Sequence, residues 1–224
     1  MRLLVSDHFR DEYPGASAGI LAMRQVSNPA RQADLELHKQ ALEEALRSRF
    51  TGYDRPALRL LPALQAYHTF YRRFDKTYHV QLQLESIIFK GKSIPSTAAL
   101  VESMFMAELK NMLLTAGHDW ARLSEPLRLE AARGEERFTQ LGGQECVLKP
   151  GDMYIADQQG ILSSVLYGPD QRSAITPDTQ AVVFTVYAPQ GIRAEQVLDH
   201  LQDIEENIRL FAPQAVTEIR QVYP

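Results

Sequence analysis

The stretch ECVLKPGDMYIADQQGILSSVLYGPDQRSAITPDTQAVVFTVYAP, residues 145–189, decides the fold class. Within it GDMYIAD, GILSSVLYG and AVVFTVYAP are short runs with strand composition, separated by Gly, Pro and Asp at turn positions. LRLEAA and ERFTQ carry the same pattern back to residue 126. The chain upstream reads differently. Residues 17–26 are small and apolar enough for one buried strand, and Asn28-Pro29 then supplies an N-cap and a first-turn proline. The helix that follows runs to about Phe50, with Leu35, Leu42 and Leu46 on one side and Glu36, Lys39, Glu43 and Glu44 on the other.

Asp54 before Pro56 opens a second helical stretch through Phe74, and Pro62 inside it marks the better start, because proline is tolerated in a first turn and not in an interior. A third helix covers 81–90. Ile94-Pro95-Ser96-Thr97 launches a long, largely buried helix through about Leu114, with Gly117 as its left-handed cap. Val197, Leu201, Ile204, Ile208 and Phe211 form a single apolar stripe on a helix over 193–211. Helices, then strands, then a closing helix make an α+β chain: a helix-rich half about 1–120, a sheet-rich half about 126–190 and the C-terminal helix. No repeat, low-complexity tract or linker divides it, so residues 1–224 are expected to form a single domain. Its strands over 126–190 are expected to form one contiguous layer packed on the 96–114 helix.

With 45% hydrophobic residues the chain can build one sizeable core, while a net charge of −4 and a pI near 5.9 argue against indiscriminate nucleic-acid binding and against DNA as a partner. Any RNA contact must be local. The segment 66–92 holds the clearest positive excess, five Lys or Arg against two acids. On a helix His68 and Arg72 share one face, and Lys76 extends it if the helix passes Asp75. Arg72, Arg73 and Lys76, with Lys90 and Lys92 around Gly91, are therefore either a phosphate-binding strip or a solvated face over buried Tyr67, Phe70, Tyr71 and Phe74.

Cys146 is the only cysteine, which points to a reducing, cytoplasmic setting. The opening MRLLVSDHFRDEYPG meets charges too soon for a signal peptide, and no segment approaches a membrane span. The six histidines show no paired ligand spacing, and phosphate-loop, dinucleotide, nucleophile-elbow and HExxH motifs are missing, so neither metal nor cofactor is expected.

The ordered set from Leu141-Gly142-Gly143 through Ile155-Ala156-Asp157, Leu162 to Asp170 and Val182 to Tyr187 resembles the editing domain of the phenylalanyl-tRNA synthetase β subunit, the B-three/B-four domain. FKGKSIPSTAALVESMFMAELKNMLLTAGHD upstream resembles its free-standing relatives. The resemblance implies an α+β fold with a β-sandwich-like sheet layer flanked by helices. It also implies a trans-acting hydrolase that removes a wrongly attached amino acid from tRNA, or a non-catalytic module that binds tRNA or an amino acid.

The family pocket uses an Asn in the long helix, a His in the turn after it and a Glu in the Gly-rich turn. The matching positions here hold Phe105, Ala116 and, allowing one gap, Asp170. Asp170 is thus either a water-orienting carboxylate or a turn residue after Pro169. Ser163 or Ser164 would bind the amino-acid moiety, Tyr167 would form a wall, and His118, two residues past the family's His, is a further wall candidate. The resemblance places a concave site between 162–170 and the helix end near Gly117-His118. Phe105 and Ala116 are expected to make its helix side apolar, favouring an amino acid more apolar than tyrosine.

Overall fold

A computed structural model describes residues 1–224. In chain order the elements are β1 (Leu3–Val5), α1 (Asp7–Glu12), β2 (Ser17–Arg24), α2 (Ala33–Arg49), α3 (Arg55–Arg59), α4 (Pro62–Arg72), α5 (His79–Lys90), α6 (Ala99–Asn111) and β3 (Leu114–Asp119). Then come β4 (Leu127–Ala131), β5 (Arg137–Thr139), β6 (Glu145–Val147), β7 (Met153–Asp157), β8 (Gly160–Ser164), β9 (Gly168–Pro169), β10 (Ala181–Ala188), α7 (Ala194–Arg209) and β11 (Val216–Tyr223).

Local chemistry accounts for several boundaries. Asp54 accepts the Ala57 N–H at 2.8 Å and starts α3, and Pro62 opens α4 at a position whose N–H would be unpaired anyway. Asn28 does not cap α2. That role falls to Gln32, and the Asn28 side chain instead donates to the Thr176 carbonyl and accepts the Leu100 N–H, tying α6 to the loop before β10. Lys39 and Glu43, read from the sequence as part of the polar side of α2, are buried. Lys39 is neutralised by Glu36 and Glu102, and Glu43 accepts the Ile94 N–H at 2.7 Å. The long helix is shorter than the sequence suggests. Met112, not Gly117, takes the left-handed turn at φ 60°, and the chain from Leu114 becomes a strand.

The strands do not form one contiguous layer. One sheet has the order β1-β4-β7-β8-β9, the other β11-β2-β10-β3, and β5-β6 is a separate hairpin. β10 leaves the first group because its eight residues pair with β2 along one edge and β3 along the other. The two sheets meet where the Tyr187 hydroxyl of β10 reaches the Ile155 N–H of β7 and the Ser163 carbonyl of β8. β2 is central and almost wholly buried, so it reads as a continuous apolar run without alternation. Gly19 within it permits α7 to lie against the sheet, since a Cβ there would stand 2.4 Å from a Val197 methyl. Val197, Leu201, Ile204 and Ile208 are the buried stripe of α7.

Helices and sheets therefore share one continuous cluster of 55 buried apolar residues, an α+β architecture of sheet layers flanked by helices. No helix is long and apolar enough to cross a membrane.

Candidate functional site

Val101, Met104, Phe105 and Glu108 recur at helical spacing on one face of α6 and look into a cavity of about 230 Å³. The β3 residues Leu114 to Gly117 form the opposite wall, and the turn carrying Ser164, Val165, Gly168 and Pro169 closes one side. Ala174 and Ile175 cover another, and His79 stands at the N-terminal end of α5. Gly117 allows this cover to approach: a Cβ there would meet the Ile175 Cδ1 at 2.8 Å and Phe184 at 3.1 Å.

Four buried tyrosines hold the frame. Tyr67 accepts the Leu114 N–H at 2.8 Å and donates to the Tyr187 carbonyl. Tyr71 donates to the Val165 carbonyl at 2.7 Å and Tyr78 to that of Met112 at 3.2 Å. Tyr187 spends its hydroxyl on Ser163. Each bond fixes a backbone segment that walls or borders the cavity, so its shape is set before any ligand arrives.

The polar groups inside are few. Glu108 is 2% exposed, its Oε1 accepts the Thr115 N–H at 2.7 Å, and burial pushes its pKa up to about 8. Thr115 Oγ1 lies 2.7 Å from Nε2 of His200, a residue of α7 that burial keeps neutral, with a pKa lowered to about 4. Asn111 Nδ2 lies 3.4 Å from His200 Nδ1 and 2.7 Å from Asp203 Oδ2, and Lys110 pairs with Asp203 at 2.6 Å. Sequence reading missed Glu108 and Thr115. A lone Glu three residues beyond Phe105 was the available signal.

Of the residues singled out from the sequence, Phe105, Ala116 and Ser164 line this cavity. Ser163 lies behind it, fully buried against Tyr187. Tyr167 sits outside the wall with its ring under the Lys76 ammonium at 4.3 Å. His118 is not in a turn but in β3, two residues beyond Ala116 and so about 7 Å further along the strand. There its Nδ1 meets Ser173 Oγ at 2.7 Å, and the Ser173 hydroxyl donates to Asp170. Asp170 also lies 3.6 Å from Arg172, which in turn grips Asp157. His118 and Asp170 thus stand behind the segment that carries Ala174 and Ile175, not among the cavity walls. Burial holds the His118 imidazole neutral, lowering its pKa to about 3. The helix side is apolar at Val101, Met104 and Phe105, as expected, but Glu108 interrupts it.

The basic residues separate as well. Helix α4 ends at Arg72, and Asp75 at φ 56° turns the chain, so Lys76 does not extend the His68–Arg72 face. Arg72 and Arg73 border an open depression of about 430 Å³ with His68 and Thr69, and an adjoining groove of about 720 Å³ adds Arg59 and Gln65. Arg73 is engaged by Glu12 at 2.6 Å and lies over the Tyr13 ring, while Arg72 is exposed. Lys90 and Lys92 lie apart, exposed at the end of α5. No group of three His, Cys, Asp or Glu side chains is gathered for a metal.

The family model described as the B3/4 domain matches residues 64–203. Among solved structures, an N-terminal fragment of the phenylalanyl-tRNA synthetase beta-subunit from Pyrococcus horikoshii is similar at 13% identity, with a TM-score of 0.49. That match covers 100% of this chain and 54% of the other, so the chain spans about half the fragment's length. No curated protein matches.

Proposed function

The chain belongs to the B3/4 domain family, and from this membership we propose that it receives the amino-acid moiety of an aminoacyl-tRNA in the α6–β3 cavity and hydrolyses its ester. The cavity carries the reading. Its volume of about 230 Å³ exceeds the roughly 150 Å³ that holds a benzene ring and falls below that of most drug-sized pockets, a range that suits one amino-acid side chain. Its walls are mostly apolar, and it adjoins the turn that the sequence resemblance links to editing. An aminoacyl ester is already activated, so orientation of ester and water can supply much of the rate.

In this reading Ser164, Phe105 and Ala116 contact the amino-acid moiety, Ser163 and Tyr167 shape the turn, and His118 and Asp170 hold the 170–175 segment. Asp170→Asn should accordingly lower stability by about 1–2 kcal/mol through the weakened Ser173 and Arg172 contacts, yet change turnover less than tenfold. Loss of turnover at unchanged stability would return the water-orienting role to Asp170.

Arg72 is the strongest candidate of the basic set for an RNA phosphate, because it borders the open depression with no acidic partner, whereas Arg73 is paired with Glu12, Lys76 is turned onto the Leu166 carbonyl and the Tyr167 ring, and Lys90 and Lys92 lie apart from the depression. Arg73, Lys76, Lys90 and Lys92 are weaker candidates. Arg72→Glu should weaken tRNA binding and reduce the slope of log affinity against log salt by about one. An unchanged slope assigns Arg72 to solvent.

The withdrawal of Asp170 from the cavity favours a second reading, a module that binds aminoacyl-tRNA or an amino acid without turnover. A panel of misacylated tRNAs separates the two. Release of at least one amino acid above the buffer rate supports the hydrolase. Binding without release leaves the module.

A further inference from the structure

We propose that the α6–β3 cavity is an ammonium site: the uncommitted carboxyl oxygen of Glu108 takes the amino group of the ligand, and the cavity rejects ligands that carry a carboxylate. The inference rests on the proposed function only for calling that ligand the aminoacyl end of a tRNA, an ester with a free amino group. The site itself stands on the hydrogen bonding and charge of the cavity.

Glu108 lines the cavity and is 2% exposed. Its Oε1 accepts the Thr115 N–H at 2.7 Å, and its Oε2 has no hydrogen-bond partner in the protein. Tyr67, Tyr71 and Tyr78 lie close enough to feel its charge, yet each spends its proton elsewhere. Tyr67 donates to the Tyr187 carbonyl, Tyr71 to that of Val165 and Tyr78 to that of Met112. The carboxyl therefore has one oxygen left for a ligand.

No Lys or Arg lines the cavity. The other titratable groups around it are His79 of α5 and His200 of α7, both kept neutral by burial, Tyr187 of β10, which is bonded to Ser163, and Asp152, bonded to Ser164. Lys110, in the same helical turn as Glu108, is exposed and paired with Asp203. A charge entering this space thus meets an acid and no cation. Glu108 also stands in the last turn of α6, where the negative end of the helix dipole favours a cation. Burial pushes its pKa up to about 8, so the carboxyl of the empty site holds its proton at neutral pH.

An entering ammonium displaces that proton to solvent and meets a carboxylate, a charge-assisted bond in a space poor in water. A neutral amide in its place leaves the carboxyl protonated and forms no ion pair. A carboxylate would be buried beside Glu108 without a cation, the costliest of the three arrangements. In the hydrolytic reading the same order clears the product. The acyl carbon bonds to the water oxygen and parts from the ribose oxygen. One water proton ends on the ribose oxygen and the other goes to solvent, so the released amino acid bears the carboxylate that the cavity rejects.

The test uses the full chain and small ligands, without tRNA. Leucinamide carries the ammonium and no carboxylate, isocaproamide lacks the ammonium, and leucine and isocaproate carry the carboxylate. In calorimetry at pH 6.5 leucinamide should bind at least about tenfold tighter than isocaproamide or leucine, with isocaproate weakest. Its binding should release about one proton, read from buffers of different ionisation enthalpy. Its affinity should rise with pH toward about 8, because the complex holds one proton fewer than the separated parts. Glu108→Gln keeps an oxygen for the Thr115 N–H; it should lose the proton release and bring leucinamide within about threefold of isocaproamide.

Equal binding of leucinamide and isocaproamide, tighter binding of leucine, no proton release or no binding at all overturns the proposal. A wild-type pattern that persists in Glu108→Gln places the ammonium elsewhere and overturns it as well. The ligand series and the proton release need only the wild-type chain, so they decide even where the variant does not fold. The predicted series with no deacylation of any tRNA would sink the hydrolase reading alone. Deacylation without a preference for the ammonium would sink this site alone.

Discussion

Ala116→Leu should reduce deacylation at least about 100-fold while leaving stability within about 1 kcal/mol and tRNA affinity unchanged. Ala116 is 4% exposed on β3 and lines the cavity, so the three added carbons enter a space of about 230 Å³ that has room for them. The surrounding Met104, Phe105 and Ile175 present apolar surface to the new side chain, which offsets the strain of a larger residue. The substrate moiety would then meet Leu methyl groups where it needs space. The RNA contacts proposed around Arg72 would lie on α4, outside the cavity wall, and should not respond. Parallel measurement of turnover, thermal stability and tRNA binding checks all three parts, and unchanged turnover would move the reaction out of this cavity.

Tyr67→Phe should destabilise the protein by about 2–4 kcal/mol. The phenol is fully buried and serves two backbone groups at once, the Leu114 N–H and the Tyr187 carbonyl. Phenylalanine keeps the ring and its stack on Tyr78, whose centroid is 4.2 Å away, so almost the whole loss comes from two orphaned polar groups at roughly 1–3 kcal/mol each. Leu114 is the first residue of β3 and Tyr187 a cavity-wall residue of β10, so the defect falls on the junction that shapes the site. Urea denaturation gives the difference, and a change below about 0.5 kcal/mol would show that water replaces the phenol without cost.

The helices that the sequence disclosed were those with strong local signals. Pro62 and Asp54 marked the starts of α4 and α3 through capping chemistry, and the apolar stripe of α7 repeated at three and four residues. The runs GDMYIAD, GILSSVLYG and AVVFTVYAP were visible as strands, yet their partition between two sheets was not. β10 pairs with β2, more than 150 residues earlier in the chain, and no turn signal records such a partner. The same holds for β11, an exposed-edge strand with little apolar pattern, and for β1, only three residues long. Leu114–Asp119 was read as helix end and turn because Gly117 resembles a cap; in the structure its missing Cβ serves close packing against Ile175 and Phe184.

The candidate cavity was legible in location and less so in the side chains that line it. Phe105, Ala116 and Ser164, named from the sequence as candidates, line the cavity because the turn and helix that carry them keep a recognisable order. Glu108 could not, since a carboxylate within a helix ordinarily marks the solvent face. Only the three-dimensional burial of α6 against β3 turns it into an interior acid. Asp170 looked like the retained carboxylate, but Ser173, three residues on, draws it away from the cavity.

The central claim, that the α6–β3 cavity receives the amino-acid moiety of an aminoacyl-tRNA, is tested most directly by titrating the isotope-labelled chain with amide-linked aminoacyl-adenosine analogues that cannot be hydrolysed. The predicted result is saturable shifts at Ala116, Gly117, Ser164 and Val165 with an analogue bearing an apolar side chain. Shifts confined to the open groove around His68 and Arg73, or no saturable shifts with any side chain, would contradict it.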